Sequence, residues 1–196
     1  MFETKEMLEK FLNPTILKQN LIIASLFIAV FDNFKTSVIN RVKDFYFSVG
    51  LFDEYEKCVL SKVKTKNNKQ IKATLLWLKE NNIITEIDED LFLELTNMRN
   101  ELAHEMNKML IEGFPESINE LYAKMINLFS KIEKKWIIEI EIPINPPNVL
   151  YDDIDLNEIT SMNIEFIKIM TDIAFTANDE YLKLINENKY LHTYSF

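Results

Sequence analysis

The sequence predicts an all-α protein built as an antiparallel helical bundle, and three observations support that fold class. Glycine occurs 2 times and proline 5 times in 196 residues, so few positions interrupt a helix. Hydrophobic residues make up 47% of the chain and charged residues 27%, the balance of a folded globular protein. Apolar residues recur every three or four positions over most of the length, which is the helical period.

The pattern of the first 50 residues predicts one long helix after a short one. The short helix covers 3–12 and ends at Asn13-Pro14, because proline suits the first turn of the next helix, where its missing N–H costs nothing. The long helix is expected to run to Gly50, a natural helix stop. Its apolar positions are Leu17, Leu21, Ala24, Ile28, Phe31, Val38, Val42, Phe45 and Val49.

Two shorter helices follow in the prediction. The first lies near 53–63, with Asp53 as its N-cap because an aspartate side chain accepts a hydrogen bond from the first turn. The polar stretch 64–69 is expected to be a loop, and the helical pattern resumes over 70–80.

Two further helices complete the predicted bundle. One begins at Glu86 or Asp88 and continues to Glu112, where Gly113 separates it from a helix over 116–135. The apolar stripe of the second is Ile118, Leu121, Met125, Leu128 and Ile132.

The pattern changes after residue 135. Isoleucines alternate with Glu and Pro over 136–147, and a period of two predicts an extended segment with one buried face. A final helix is expected over 157–187, with Ile159, Phe166, Met170, Ile173, Ala177 and Leu184 on one face. We therefore expect a helical bundle over 1–135, with 136–196 adding an extended segment and a C-terminal helix that pack on the same domain.

Composition excludes several kinds of site. The net charge is −9, from 22 basic and 31 acidic residues, so DNA binding by bulk electrostatics is not expected. One cysteine and two histidines supply neither a disulfide framework nor a usual zinc ligand set. We expect no metal site and no cofactor.

The sequence also predicts a cytoplasmic protein that does not enter a membrane. Its longest apolar run, Leu21 to Phe31, has 11 residues with one serine inside it, whereas a membrane span needs about 20. The first residues include Glu3, Glu6 and Glu9 rather than the basic start of a signal peptide.

The helix predicted over 88–112 presents three faces. The core stripe comprises Leu91, Leu95, Met98, Leu102, Met106 and Met109. The charged face comprises Asp90, Glu94, Asn97, Glu101, Glu105 and Lys108. The third face comprises Phe92, Leu93, Thr96, Asn100, Ala103, His104 and Asn107, with Arg99 at its border. Such a mixture is typical of a face that lines a cleft or packs on a second protein.

Three residues at this third face can perform chemistry. Asn100 and His104 are four positions apart and are therefore neighbours on the helix surface, with Arg99 beside them. An imidazole can move a proton, a guanidinium can hold a phosphate, and an amide can orient either group. Together they suit cleavage of RNA by attack of the ribose 2′-OH on the adjacent phosphate.

The segment from Arg99 to His104, Arg-Asn-Glu-Leu-Ala-His, resembles the Arg-x4-6-His signature of HEPN domains. The resemblance covers about residues 14–135 and implies an all-α bundle that cleaves RNA without a metal, in toxin–antitoxin or phage-defence systems. It also implies a homodimer with a composite site in which Arg99 holds the phosphate, His104 transfers protons and Asn100 orients the pair. The order of elements is more distantly similar to the mannitol operon repressor family.

Alternatives remain for the supporting residues. HEPN domains often place an acidic residue on the neighbouring helix, so Asp32 is a candidate supporting residue that orients Arg99 or His104; the alternative is that Asp32 faces solvent. Arg99 itself has the alternative of an ion pair with Glu94, Glu101 or a residue on another helix.

The sequence also departs from the family. Met106 stands where HEPN toxins paired with a nucleotidyltransferase antitoxin often carry Tyr, which argues against an antitoxin of that kind. Glu105 adds negative charge beside the motif. Two other functions stay open: a non-catalytic helical module that binds a regulatory protein or an antitoxin, and a sensor of a small ligand or nucleotide.

Overall fold

Every regular element in the described residues is helical, which confirms the all-α class. The computed structural model describes residues 11–48, 50–115, 117–144, 155–156 and 158–175. The main helices are α1 (Pro14–Ser48), α2 (Phe52–Cys58), α3 (Lys69–Glu80), α4 (Glu86–Glu112), α5 (Ile118–Trp136) and α6 (Met162–Phe175). A 3-10 helix, Leu60–Lys62, follows α2.

The chain forms two compact units. The first ends at Ser161 and contains α1 to α5, and the second begins at Met162 with α6. The predicted packing of the last helix on the bundle stays a prediction. The short helix predicted over 3–12 lies outside the described residues except for its last two positions.

Helix α1 is the central element of the bundle, because α3, α4 and α5 all pack against it. Its buried residues are Ile23, Ala24, Phe27, Val30, Phe31, Phe34, Val38 and Val42. The predicted stripe is therefore correct in its middle and wrong at its start, since Leu21 is exposed. It also omitted Phe27 and Phe34, because the buried face of α1 is wider than a single row of side chains.

An aromatic cluster joins α1 to α4 and α5. The ring of Phe34 stacks on Phe129 of α5 at a centroid distance of 4.6 Å. It also meets Phe92 of α4 nearly edge-on at 5.3 Å. Phe31 contacts the same Phe92 ring at 5.4 Å. Offset and edge-on contacts of this kind add to the free energy that burial itself supplies.

By length and composition α1 is also able to cross a membrane, with a mean hydropathy of 1.6 over its most apolar window. A core helix and an amino-terminal signal sequence satisfy the same criterion, so this is weak support for a span. The uninterrupted apolar run, Leu21 to Phe31, is shorter than this window because Asp32 ends it.

Helix α1 ends as predicted at Gly50. Gly50 has a φ of +74°, and its N–H donates to the carbonyl of Phe47 at 3.1 Å. The N–H of Leu51 donates to the carbonyl of Tyr46 at 2.8 Å. This pair of bonds is the Schellman motif, which places a left-handed residue after the helix, and glycine adopts that conformation without strain.

The caps of α2 and α4 differ from the predicted ones. Leu51 is the residue before α2, and Asp53 lies within its first turn, so the predicted cap is wrong. Helix α4 does begin at Glu86, but its N-cap is Thr85, which forms a reciprocal capping box with Asp88. The predicted stripe of α5 is confirmed, since all five of its residues are buried.

Residues 137–144 are helical, so the predicted extended segment is wrong over this range. A π-helical turn, Ile137–Glu141, and a last turn, Ile142–Ile144, continue α5 without a break. No glycine or proline interrupts the chain between Ile118 and Pro143, so the hydrogen-bonding of α5 can run on. None of these eight residues is buried, and an alternating pattern without a buried face does not require a strand.

Helix α6 starts five residues later than predicted. Residues 155, 156 and 158–161 are not helical, and the predicted range beyond Phe175 lies outside the described residues. Within α6 the buried residues are Ile164 and Ile167, whereas Phe166, which the sequence placed on the core face, is 57% exposed.

We expect Phe34→Ala to lower the free energy of unfolding by about 3–5 kcal/mol, because it removes a buried ring that two other rings contact. Urea unfolding followed by far-ultraviolet circular dichroism measures this. Ile87→Ala, at an 80% exposed position, is the control and should cost well under about 1 kcal/mol. Equal losses in the two variants would contradict the assigned core.

The capping box of α4 predicts a pH-dependent part of the stability. Burial tends to raise the pKa of Asp88, but hydrogen bonds from Lys131 and Thr85 outweigh it and lower that pKa overall. A lowered folded-state pKa contributes stability above the unfolded value of about 3.9, and this is lost as the pH falls through the folded value.

Asp88→Asn should therefore destabilise the protein by on the order of 1 kcal/mol at pH 7, and by much less at about pH 2. Urea unfolding at both pH values tests this, with Asp90→Asn as the exposed control. A difference from wild type that stays the same at both pH values would rule out the proposed contribution.

Candidate functional site

Helix α4 turns the motif outward. Its buried residues are Phe92, Leu95, Met98 and Leu102. Asn100, Ala103, His104 and Asn107 are exposed, while Arg99 is half-buried at the border. The third face is therefore an open surface of this chain.

Two details of the predicted faces are wrong. Phe92, predicted on the third face, is buried in the aromatic cluster with Phe31 and Phe34. Leu91, Met106 and Met109, predicted in the core stripe, are only half-buried. A kink explains the difference for the two methionines, because Glu105 has a non-helical backbone with φ −114° and ψ 15°. A kink rotates the following turns, so one helical period does not describe the whole of α4.

Asp32 of α1 holds the guanidinium of Arg99 in a two-pronged ion pair. Nε of Arg99 donates to Oδ1 of Asp32 at 3.1 Å, and Nη2 donates to Oδ2 at 2.8 Å. The hydrogen bond to Asp32 raises the pKa of Arg99, which stays charged. The side chains are 29% and 47% exposed, so solvent reaches both. Of the alternatives for Arg99, the structure has the ion pair with another helix.

This pair leaves part of the guanidinium free for a ligand. Arginine has five N–H donors, and Asp32 accepts from two of the nitrogens, Nε and Nη2. Nη1 makes no hydrogen bond or ion pair within the described part of the chain. Asp32 therefore fixes the orientation of Arg99 while leaving donors that can bind an anion.

His104 lies on the exposed face of α4. It makes no hydrogen bond or ion pair with any residue the structure describes. Both ring nitrogens are thus available to a substrate or to a second protein surface. Asn100, one turn earlier, is equally exposed.

The charge around the motif is mostly negative. Glu101 and Glu105 are exposed beside it. They also line a groove of about 460 Å³ with Lys108, Met109, Glu112 and Phe114 among its walls. Arg99, Asn100 and His104 do not line this groove. A phosphate that reaches the motif must therefore approach from the third face.

A second arginine site escaped the sequence interpretation. Arg41 of α1 donates from Nη2 to Oε2 of Glu133 at 2.9 Å, and it also pairs with Glu141. Ser37 donates to the same carboxylate at 3.3 Å. Glu133 is only 1% exposed. Helical spacing could have predicted that Glu133 is buried, because it lies four residues after Phe129 and three before Trp136, on the core stripe of α5.

Burial tends to lower the pKa of Arg41, but hydrogen bonds and charges of Glu133 and Glu141 outweigh it and raise that pKa. Arg41 thus stays charged beside the two carboxylates. Beside them lies a groove of about 210 Å³ between Phe45, Trp136 and Ile140. The network ties α1 to α5 and to the π-helical turn that follows.

Among the described residues, no group of three or more His, Cys, Asp or Glu side chains is arranged to hold a metal ion. Arg99, Asn100 and His104 do not form a metal ligand set, since only the imidazole among their side chains binds metals readily. The chemistry available at the motif is proton transfer and anion binding.

In comparisons with known proteins, no family model, curated protein or solved structure matches this chain. The resemblance to HEPN domains therefore depends on the motif and on its helical setting.

Removal of the buried carboxylate should be far more costly than removal of the exposed one. We expect Glu133→Ala to lower the free energy of unfolding by about 3–5 kcal/mol, because Arg41 keeps a partly buried charge without its main partner. Glu141→Ala, at a 41% exposed side chain, should cost about 1 kcal/mol or less. Urea unfolding of the two variants measures both values, and a larger loss for Glu141→Ala would contradict the network.

Proposed function

We propose that the protein is a metal-independent endoribonuclease of the HEPN type that acts as a homodimer in the cytoplasm. One observation carries the proposal. Asp32 orients Arg99 at the edge of an exposed helix face on which His104 and Asn100 have no partner in the described residues. A charged, oriented guanidinium and an open imidazole on the same helix supply the two groups needed to cleave RNA through its own 2′-OH.

Each residue has a defined role in this reaction. His104 accepts the proton of the 2′-OH as its oxygen forms a bond to phosphorus, or returns a proton to the 5′ oxygen as the P–O bond breaks. Arg99 donates to the phosphate oxygens, on which negative charge grows in the transition state. Asn100 orients the substrate or the imidazole. The products carry a 2′,3′-cyclic phosphate and a 5′-OH. The attacking oxygen belongs to the substrate, so no activated water is required.

A second copy of the chain would complete the site. On one chain the motif lies on an open helix face, where one imidazole cannot both accept and donate a proton at the same moment. A two-fold axis at the third face would place a second His104 across the substrate, and an interface of this type uses the same patch of both chains. Leu93, which is 49% exposed, would be covered in that dimer.

The test is cleavage of total RNA by the purified protein in EDTA. We expect wild type to leave 2′,3′-cyclic ends, and His104→Ala and Arg99→Ala to lower the rate by at least about 100-fold. Arg99→Lys should also lose activity, because lysine keeps the charge without the two-pronged geometry. Asp32→Asn should lose less, since it only loosens the orientation of Arg99.

Asn97→Ala, on the charged face of the same helix, is the matched control and should cleave like wild type. Sedimentation at the assay concentration should show a dimer. A fully active His104→Ala variant would exclude the proposed mechanism, and so would activity that requires a metal.

A non-catalytic module that binds a regulatory protein or an antitoxin is the second candidate. It is favoured by the ion pair of Arg99 with Asp32 and by the acidic residues Glu101 and Glu105 beside the motif, which repel a phosphate. In this case the exposed face of α4 contacts the partner, and Asp32 keeps Arg99 in a fixed shape for that contact. No cleavage by any variant, with binding lost in His104→Ala, would support this function.

A further inference from the structure

One segment of this acidic protein is rich in lysine and free of acidic residues. Residues 57–79, the lysine segment, contain seven lysines and no aspartate or glutamate. Its formal charge is therefore +7, and because the whole chain carries −9, all other residues together carry −16. The overall charge, on which the prediction against DNA binding by bulk electrostatics was based, conceals this asymmetry.

Three lysines of the segment lack an acidic partner. Four others pair with acids that flank the segment: Lys57 with Glu54, Lys69 with Glu56, Lys62 with Glu80 and Lys79 with Glu89. Lys64, Lys66 and Lys72 are exposed and form no ion pair with any described residue. Lysines in this state are accompanied by mobile counterions, whose release favours the binding of a polyanion.

The local backbone adds to the positive potential. Lys64 and Lys66 lie in the loop that leads into α3, and Lys69 and Lys72 are neighbours in its first turn. The residue before α3, Asn68, is left-handed and makes no capping bond with its side chain, and the first turn has no acid. The unneutralised amino end of a helix attracts anions, and here it reinforces the lysines.

The polar surroundings favour a nucleic-acid backbone over a membrane surface. Helical segments that bind anionic lipid also insert large apolar side chains. No large apolar side chain is exposed within the lysine segment; the nearest exposed ones, Phe52 and Ile87, lie outside it. Thr65, Asn67 and Gln70 instead stand between the lysines, and their side chains can donate hydrogen bonds to phosphate and ribose oxygens.

We propose that the lysine segment is a docking surface for the phosphate backbone of single-stranded RNA, distinct from the Arg99–His104 motif. The choice of RNA rests on the proposed nuclease function, whereas the binding of a polyanion follows from the segment itself. Docking here would offset the repulsion by the acidic remainder of the chain. The surface would contribute affinity without base specificity, because it contacts only the backbone.

The experiment measures RNA binding in the His104→Ala variant, so that the RNA stays intact. Fluorescence anisotropy reports binding of a labelled oligouridine of about 20 nucleotides over a range of salt concentrations. The test variant also carries Lys64→Gln, Lys66→Gln and Lys72→Gln. The control carries Lys18→Gln, Lys124→Gln and Lys168→Gln, which remove the same charge from exposed positions elsewhere; Lys124 and Lys168 are paired with Glu120 and Glu165.

We expect the test variant to bind at least about tenfold more weakly at low salt, and the dependence of log K on log salt to flatten by about 2, since each single-strand contact contributes about 0.7. The control should bind within about twofold of the parent. Equal losses in both variants, or no RNA binding by the parent, would overturn the proposal. So would a parent that prefers phosphatidylserine vesicles to RNA.

This result is separable from the nuclease test. RNA binding that depends on the three lysines, without cleavage by the wild type, would support the docking surface and reject the nuclease. Cleavage with unchanged binding of the test variant would support the nuclease and reject the docking surface.

Discussion

The burial of one face of α1 is the constraint on which the rest of the structure depends. This helix of 35 residues presents eight buried side chains, and α3, α4 and α5 all pack on it. Phe34 makes the geometry specific, because its ring stacks on Phe129 and meets Phe92 edge-on. The rotation of α4 follows from these contacts. Once Phe92 and Leu95 are inside, Asn100 and His104 must face outward, because a helix has only one core side.

Both arginines of the chain link α1 to a neighbouring helix, but the two links differ in character. Arg41 meets the buried Glu133 and is further enclosed by Glu141. The desolvation of these charges offsets much of their mutual attraction. The network is therefore better understood as fixing the alignment of α1 and α5 than as a source of stability. Arg99 meets Asp32 where solvent reaches both side chains. That pair orients a guanidinium at a surface, which is the arrangement a binding site needs.

Under the two proposals, the charge distribution would assign binding and catalysis to different parts of the chain. The motif on α4 has acidic neighbours, so other residues would have to attract an anionic substrate to it. The lysine segment is the one stretch with a large positive charge in a chain of net −9. Affinity and chemistry would thus reside in different helices. The motif would then select its substrate through its own contacts, because non-specific attraction of polyanions would act elsewhere on the surface.

Local physics determined what the sequence alone predicted correctly. Helical periodicity, the scarcity of glycine and the position of Gly50 gave the all-α class, the end of α1 and the extent of α4, because each depends on neighbouring residues. The exposure of Asn100 and His104 on one face of α4 followed from their spacing within one helix.

Only the tertiary structure decided the features that depend on distant residues. Asp32 and Arg99 are 67 positions apart, and Arg41 and Glu133 are 92 apart. Spacing within one helix predicts neither pairing, although the family resemblance offered Asp32 as a partner of Arg99 and the core stripe of α5 marked Glu133 as buried. The helical state of 137–144 is also not determined by local sequence, since its alternating pattern fits a strand equally well. There the unbroken hydrogen bonding of α5 and the ion pair of Glu141 with Arg41 favour the helix. The burial of the apolar face of α1 brings these distant side chains together. That burial requires several helices, so the sequence of one helix does not reveal the pairings.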